Sequence, residues 1–308
     1  MKLQFVSAQP ATLYFAWQVE VMLNNFLSIG INLNSIDIVC HKVNGEIHPA
    51  WSNLADNYAA RFFFYDDTRE SKIYVSSIRP NILKQHFAKY PELKDKAIFY
   101  HDCDIVFTQT FDFGKYLNDS KWYGSDTISY IGHDYILSKG EDVLDLMCEI
   151  VRIDKEIIKA NENNSIGAQY LMKGIDANFW ADVERDSEEL YKRVNQLNFS
   201  KKELNKEYHE LQIWCADMWA VLWNGWKRGY ETIVDKDFDF AWATSALKEW
   251  EICKIYHNAG AVHEIKGMFY KHDYLNETPY NKDIKVEDRF CCYKYYELIQ
   301  QTAKISVI

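Results

Sequence analysis

The sequence has few of the features that mark linkers, membrane spans or disulfide frameworks. Only 5 of its 308 residues are proline and 12 are glycine, and no Pro/Gly/Ser-rich linker, repeat or low-complexity tract interrupts it. No run approaches the ~20 apolar residues needed to cross a bilayer. The seven cysteines include no Cys-x-x-Cys pair, which favours reduced core thiols and a cytoplasmic location. We therefore expect a single domain over residues 1–308.

An excess of positive charge is also missing. The chain carries 35 Lys and Arg against 45 Asp and Glu, a net charge of −10. Without a basic stripe, nucleic acid is excluded as an expected partner, and no polybasic segment is available for an anionic membrane. The first seven residues are too short and too quickly polar for a signal peptide, and we interpret them as the first strand.

Hydrophobic patterns alternate between strand and helix in the first part of the chain. This alternation predicts an α/β fold, with a mostly parallel, doubly wound sheet flanked by helices. The predicted strands are 3–7, 36–40, 61–65 and 97–107, and the predicted helices are 14–28 and 80–90. The second part of the chain is expected to be a helical elaboration. It has a short strand at 122–126, helices at 141–159, 178–195 and 209–226, and a solvated helix face or connector at 200–208.

The segment Ala97–Phe107 is the most informative in the chain. Apolar residues lead into Asp102 and Asp104 and resume after them, so a buried strand is expected to end where two carboxylates are exposed. Ligands bind at that edge of an open α/β sheet. Two carboxylates at i and i+2 can share one divalent cation and hold it against a diphosphate. The alternative interpretation is a pair of loop carboxylates that cap a turn.

A second polar cluster follows the apolar run that ends at His257. The residues His257-Asn258-Ala259-Gly260 combine an imidazole with small residues that permit close backbone approach. A neutral imidazole is a suitable third ligand for Mn²⁺ beside two carboxylates. Lys266 and Lys271, just downstream, are candidates to supply positive charge to a diphosphate, although such lysines are usually solvated surface residues.

Two further segments have side chains suited to an acceptor. Asp217 lies in an apolar, aromatic helical stretch where an isolated charge is costly. We interpret it either as a buried cap or salt-bridge partner, for instance of Arg228, or as the base that takes a proton from an acceptor hydroxyl. Gln169 follows a polar loop and small residues, an arrangement that fits either recognition of sugar hydroxyls or a loop entering a helix.

Taken in order, these segments resemble the GT-A glycosyltransferases. The resemblance rests on the Ser7-Ala8-Gln9-Pro10 turn, the Asp102/Asp104 pair, Asp217 and His257. It implies a nucleotide-binding half at 1–110 and an acceptor and metal-completing half at 111–308. The chain is also similar to the peptidyl-serine and hydroxyproline glycosyltransferase group, through Trp17-Gln18, Trp122-Tyr123-Gly124-Ser125-Asp126 and Trp214-x-x-Asp217-Met218-Trp219.

The resemblance also implies roles for individual residues. Asp102, Asp104 and His257 would bind Mn²⁺ or Mg²⁺, and Asp217 would be catalytic. The donor, a nucleoside-diphosphate sugar, would contact Ser7, Gln9, Asp67, Arg79, Asp102, Lys266 and Lys271. The acceptor would contact Ser125, Asp126, Gln169 and Trp214.

The resulting hypothesis is a metal-dependent glycosyltransferase. It would move a sugar, with a UDP-sugar favoured as donor, to a hydroxyl on a glycan or protein. Two alternatives remain. One is a metal-dependent nucleotidyltransferase or nucleotide-sugar hydrolase, and the other is a non-catalytic carbohydrate-binding protein.

Overall fold

A computed structural model describes the whole chain, from Met1 to Ile308. Its ten strands are β1 Leu3–Pro10, β2 Ile36–His41, β3 Arg61–Tyr65, β4 Ala97–His101, β5 Ile105–Phe107, β6 Trp122–Asp126, β7 Ile166–Lys173, β8 Thr232–Val234, β9 Phe240–Trp242 and β10 Ile255–His257. Its eleven α-helices are α1 Leu13–Ser28, α2 Pro49–Asn57, α3 Ile78–Lys89, α4 Ile128–Ile131, α5 His133–Leu137, α6 Glu141–Val151, α7 Lys155–Ala160, α8 Ala177–Leu204, α9 Ala216–Lys227, α10 Glu249–Ile252 and α11 Cys291–Ala303. None of these helices has the length and apolar character needed to cross a membrane.

The main sheet has seven strands in the order β3-β2-β1-β4-β7-β6-β8. β1 pairs in parallel with β2, with Phe5 opposite Ile36, and β2 pairs in parallel with β3. β6 is parallel to β8 and antiparallel to β7. The predicted α/β class, with a mixed and mostly parallel sheet flanked by helices, is confirmed.

A second sheet has three short strands in the order β5-β10-β9. β10 is antiparallel to β5 and parallel to β9. This small sheet places the segment after Asp104 beside the segment that ends at His257.

The chain divides into two compact units, each built from discontinuous segments. The first consists of Met1–Lys2, Asp67–Phe99 and Tyr116–Asp235, and the second of Leu3–Asp66, Tyr100–Lys115 and Lys236–Ile308. The expected single domain, with halves at 1–110 and 111–308, stays a prediction.

The second unit has a core formed by α1 and α11. Trp17 and Val21 of α1 belong to the same buried cluster as Tyr295 and Ile299 of α11. The sequence of the last forty residues gives no signal for α11, because their aromatic and charged residues show little periodicity. The helix there is amphipathic over only 13 residues, which is too short for its pattern to be distinct in sequence.

Several predicted boundaries were wrong for local reasons. The expected helix 141–159 is two helices, because Arg152 has a left-handed backbone (φ 60°) and Asp154 caps α7 by accepting a hydrogen bond from the Glu156 amide. The Ser7–Pro10 turn is strand, since pairing with β2 continues to Pro10 opposite His41.

Several helices also begin or end at residues other than those expected. Pro80 lies in the first turn of α3 rather than at its first residue, and α8 continues to Leu204, well past residue 195. The tryptophan-rich helix begins at Ala216 instead of 209. Gln169 lies within β7, although its segment was expected to be a loop.

Candidate functional site

The second unit brings Asp102, Asp104 and His257 together through strand pairing. The two aspartates lie in the turn between β4 and β5. Because β10 runs antiparallel to β5, His257 lies opposite Ile105. The backbone amide of Asn258 donates to the carbonyl oxygen of Asp104 at 3.0 Å. The register therefore positions the imidazole beside both carboxylates.

The spacing of the three side chains suits one divalent cation. His257 Nε2 lies 3.5 Å from Asp102 Oδ2 and 3.3 Å from Asp104 Oδ1. The ligand atoms of all three residues lie within 4.8 Å of one another. Neighbouring ligands of an octahedral ion with bonds of ~2.1 Å are roughly 3 Å apart. Small side-chain movements would therefore bring all three atoms within bonding distance of one ion.

Lys271 also contacts this cluster. Its ammonium group bonds Asp104 Oδ2, the oxygen that does not face His257. Burial alone lowers the pKa of Lys271 and raises that of Asp104, but their mutual attraction outweighs burial. The pKa of Lys271 is consequently raised and that of Asp104 is lowered. Burial raises the pKa of the neighbouring Tyr14 phenol, which stays neutral beside the ion pair.

The donor set at this centre fits a manganese or magnesium ion. Two carboxylates face one lysine, so a net negative charge remains for a cation. An imidazole in the set favours Mn²⁺ over Mg²⁺, which prefers oxygen ligands. The buried Nδ1 of His257 has no hydrogen-bond partner, so packing orients this ring without the second hydrogen bond that metal-binding histidines usually make.

The first unit contains a separate buried acidic site at Asp217, in the first turn of α9 and 7% exposed. Tyr74 donates its hydroxyl to Asp217 Oδ1 at 2.6 Å, and Arg79 Nη2 donates to Oδ2 at 2.5 Å. The alternative expectation of a salt bridge at Asp217 is confirmed, but its partner is Arg79; Arg228, the example expected, instead binds Asp182 at 2.5 Å. Both oxygens of Asp217 therefore have donors.

A polar network surrounds Tyr74 in the first unit. Glu188, which is 6% exposed, accepts a hydrogen bond from the backbone amide of Tyr74 at 3.3 Å and from Ser77 Oγ at 2.5 Å. Asp67 forms ion pairs of 3.0 Å with both Arg69 and Lys72. These bonds fix the chain between β3 and α3, which carries Tyr74 to Asp217.

The other residues expected at the donor lie in the second unit. Ser7 and Gln9 are buried in β1, and Gln9 Nε2 donates to the carbonyl oxygen of Val39 at 3.3 Å. Lys266 is exposed. A cavity of about 350 Å³ opens beside these elements, lined by Ala11, Thr12, Leu13, Val43, Glu46, Ile47, His48, Pro49, Leu275 and Asn276. None of the expected donor residues lines it.

The residues expected at the acceptor are all in the first unit. Ser125 Oγ donates to the carbonyl oxygen of Gly167 at 2.8 Å, so this hydroxyl is engaged within the sheet. Gln169 is fully buried, Asp126 is exposed, and Trp214 is 59% exposed. Trp214 is the one large aromatic surface among them.

Sequence reasoning missed Tyr14 and Tyr74. Both contribute buried hydroxyl groups at the two acidic clusters. The chain has 21 tyrosines, and neither of these lies in a distinctive motif. Only the proximity of each to a carboxylate in the folded chain identifies it.

The chain was compared with protein-family models, curated proteins and solved structures, and only the solved structures match it. No protein-family model matches the chain, and no curated protein matches it. Among solved structures, the bifunctional glycosyltransferase WbbM matches with a TM-score of 0.50 and 10% identity over 97% of this chain. The galactosyltransferase LgtC, with donor and acceptor sugar analogues, matches with a TM-score of 0.44 and 10% identity over 97% of this chain and 96% of that one. Mouse xyloside xylosyltransferase 1 matches with a TM-score of 0.41 and 10% identity over 84% of this chain and 98% of that one.

The likeness to WbbM establishes a glycosyltransferase fold. The chain spans half the length of WbbM. The GT-A, Rossmann-like architecture expected from the sequence is thereby confirmed.

Proposed function

We propose that this chain is a metal-dependent glycosyltransferase. It would transfer a sugar from a nucleoside-diphosphate sugar, with a UDP-sugar as the first candidate, to a hydroxyl on a glycan or protein. The observation that carries the proposal is the Asp102, Asp104 and His257 cluster, found in a chain with a glycosyltransferase fold. The more specific likeness to peptidyl-serine and hydroxyproline glycosyltransferases, and the cytoplasmic location, stay predictions.

The chemistry that this proposal requires divides among the residues as follows. Asp102, Asp104 and His257 would hold Mn²⁺ or Mg²⁺, which when bound supplies Lewis-acid neutralisation of the departing diphosphate. Lys271 would add a second positive charge on the same side. The acceptor oxygen forms its bond to the anomeric carbon as the bond from that carbon to the diphosphate oxygen breaks.

Asp217 is proposed as the acceptor-side carboxylate. It would take the hydroxyl proton in an inverting reaction, or orient the substrates in a retaining one. Its two hydrogen bonds, from Tyr74 and Arg79, support the orienting role, because both carboxylate oxygens already accept a hydrogen bond from the protein. For donor contacts we propose Ser7, Gln9, Asp67, Arg79, Asp102 and Lys266, and for acceptor contacts Ser125, Asp126, Gln169 and Trp214.

Thermal unfolding with nucleotides and metal tests the proposal. UDP, GDP, CDP and ADP, each with and without Mn²⁺, are added to the wild type, Asp104→Asn and the exposed α2 control Asp56→Asn. A nucleotide present at 100 times its Kd should stabilise the wild type and the control by about 2.7 kcal/mol. This stabilisation should require Mn²⁺ and be absent in Asp104→Asn.

Cleavage of a nucleoside-diphosphate sugar, measured without acceptor, and the unfolding measurements together separate the alternatives. Donor cleavage at full rate without any acceptor would support the hydrolase or nucleotidyltransferase instead. If no nucleotide shifts the unfolding of the wild type in the presence of Mn²⁺, the glycosyltransferase proposal is wrong and the carbohydrate-binding alternative is favoured.

A further inference from the structure

A segment of the second unit, residues 269–280, lies along one face of α1. The ring of Tyr14 stacks on His272 with 5.6 Å between centroids. One helical turn later, Trp17 Nε1 donates to the carbonyl oxygen of Tyr274 at 3.3 Å, and its ring packs against Phe269 at 6.0 Å. Residues three apart on a helix share a face. The next residue on this face is Glu20.

Glu20 is a fully buried carboxylate, 0% exposed, and its hydrogen-bond donors are uncharged groups. Tyr280 donates its hydroxyl to Glu20 Oε2 at 2.7 Å, and Ser306 Oγ donates to the same oxygen at 2.8 Å. The backbone amide of Val307 donates to Oε1 at 2.7 Å. A buried carboxylate is costly unless it is well hydrogen-bonded. Each of these donors is therefore held firmly in place.

The bond to Tyr280 fixes the end of the segment that carries Lys271. The Tyr280 hydroxyl also lies 3.2 Å from the carbonyl oxygen of Trp17, so two groups of α1 hold the same phenol. Lys271, at the start of the 3₁₀ turn Lys271–Tyr274, bonds Asp104. Contacts with α1 on both sides of this turn thus determine where the ammonium group lies.

We propose that Glu20 is a positioning residue, which acts through Tyr280 to hold the 269–280 segment on α1 and so keep the Lys271 ammonium against Asp104. There the ammonium group opposes a divalent ion that binds alone, because two cations would share one carboxylate. With a diphosphate present, the same ammonium has an anion to bind. This inference rests on the proposed function, since it assumes that Asp104 is a metal ligand.

Binding of Mn²⁺ alone to the full chain tests whether Glu20 acts on the metal site through Lys271. Free Mn²⁺ is measured by electron paramagnetic resonance in the wild type, Glu20→Gln, Lys271→Met and the double variant. Glu20→Gln should bind Mn²⁺ about threefold to tenfold more tightly than the wild type, and Lys271→Met at least as tightly. The double variant should match Lys271→Met, because Glu20 has no effect once the ammonium is gone.

Hydrogen exchange of the metal-free protein tests whether Glu20 and Tyr280 hold the 269–280 segment on α1. This test does not depend on the proposed function. Glu20→Gln and the milder Tyr280→Phe should speed amide exchange within 269–280. Tyr230→Phe is the matched control, because it removes a hydroxyl that donates to the Gly174 carbonyl oxygen in the first unit, and it should leave that exchange unchanged.

The outcomes distinguish failure of the positioning role of Glu20 from failure of the proposed function. If exchange in 269–280 is unchanged in both variants, or if Glu20→Gln tightens Mn²⁺ binding equally with and without Lys271, the positioning role of Glu20 is overturned while the proposed function stands. If the wild type binds no Mn²⁺, the proposed function fails, and the coupling to Lys271 fails with it.

Discussion

Asp217 shows how neighbouring side chains set the role of a buried carboxylate. Its oxygens accept hydrogen bonds from Tyr74 and Arg79, and the Tyr74 hydroxyl also lies 2.6 Å from the carbonyl oxygen of Trp214. One phenol thus links the chain before α3 to the start of α9. The pKa of Tyr74 is raised, first by burial and then by the charge of Asp217, so the phenol remains a donor.

Removing the Tyr74 hydroxyl should therefore weaken the first unit. Tyr74→Phe keeps the ring, which stacks on Tyr191, but leaves Asp217 Oδ1 short of a donor. We expect a loss of about 1–3 kcal/mol in the free energy of unfolding, the usual cost of an unsatisfied buried acceptor. Urea unfolding measures it. Tyr293→Phe, which alters a partly exposed tyrosine of α11, is the control, and an equal loss in both variants would contradict the explanation.

Asp67 should contribute to stability in a pH-dependent way. Its hydrogen bonds with Arg69 lower its pKa in the folded chain, while the unfolded residue titrates near pH 4. The unfolded state therefore binds more protons below pH 4. The stabilisation is complete above that pH and is lost as pH falls through the lowered folded pKa.

Asp67→Asn should destabilise the protein at pH 7 by on the order of 2 kcal/mol. The difference from the wild type should shrink towards pH 2. Urea unfolding at a series of pH values gives this comparison, and the exposed Asp56→Asn should show no such trend. A difference that is constant with pH would mean that Asp67 acts by packing and not by charge.

At the scale of elements, close packing rather than helix propensity explains why α9 has a glycine at position 225. A Cβ placed on Gly225 would lie 2.8 Å from Cζ3 of Trp122, and Trp122 is fully buried in β6. The indole is also held by a hydrogen bond from Nε1 to the carbonyl oxygen of Lys173 at 3.0 Å. The helix can approach the sheet this closely only because residue 225 lacks a side chain.

Gly225→Ala sets two known effects against each other. Alanine gains about 1 kcal/mol in helix propensity, but overpacking against a fixed indole typically costs about 1–3 kcal/mol. We expect net destabilisation, measured as a lower midpoint of thermal unfolding. Asn195→Ala, on an exposed position of α8, should be neutral or slightly stabilising, and a stabilised Gly225→Ala would show that Trp122 yields.

At the scale of the whole molecule, the sequence predicted what local patterns encode. The α/β class followed from alternating strands and helices. The Asp102 and Asp104 turn followed from its apolar flanks, and His257 from the apolar run before it. The interleaved units, the Arg79 partner of Asp217 and the Lys271 bond to Asp104 depend on long-range packing. No single-sequence pattern encodes such contacts, and Arg228 was an equally reasonable partner for Asp217 until the fold was known.

The pairing of β5 with β10 has a consequence for how the proposed metal centre would form during folding. Asp104 and Lys271 are 167 positions apart, and His257 reaches the carboxylates only through this pairing. Contacts that close such long loops are slow to form. On the ribosome, the aspartates would emerge well before the strand that completes their site. Acquisition of metal affinity would thus report that the last part of the second unit has joined the nascent chain.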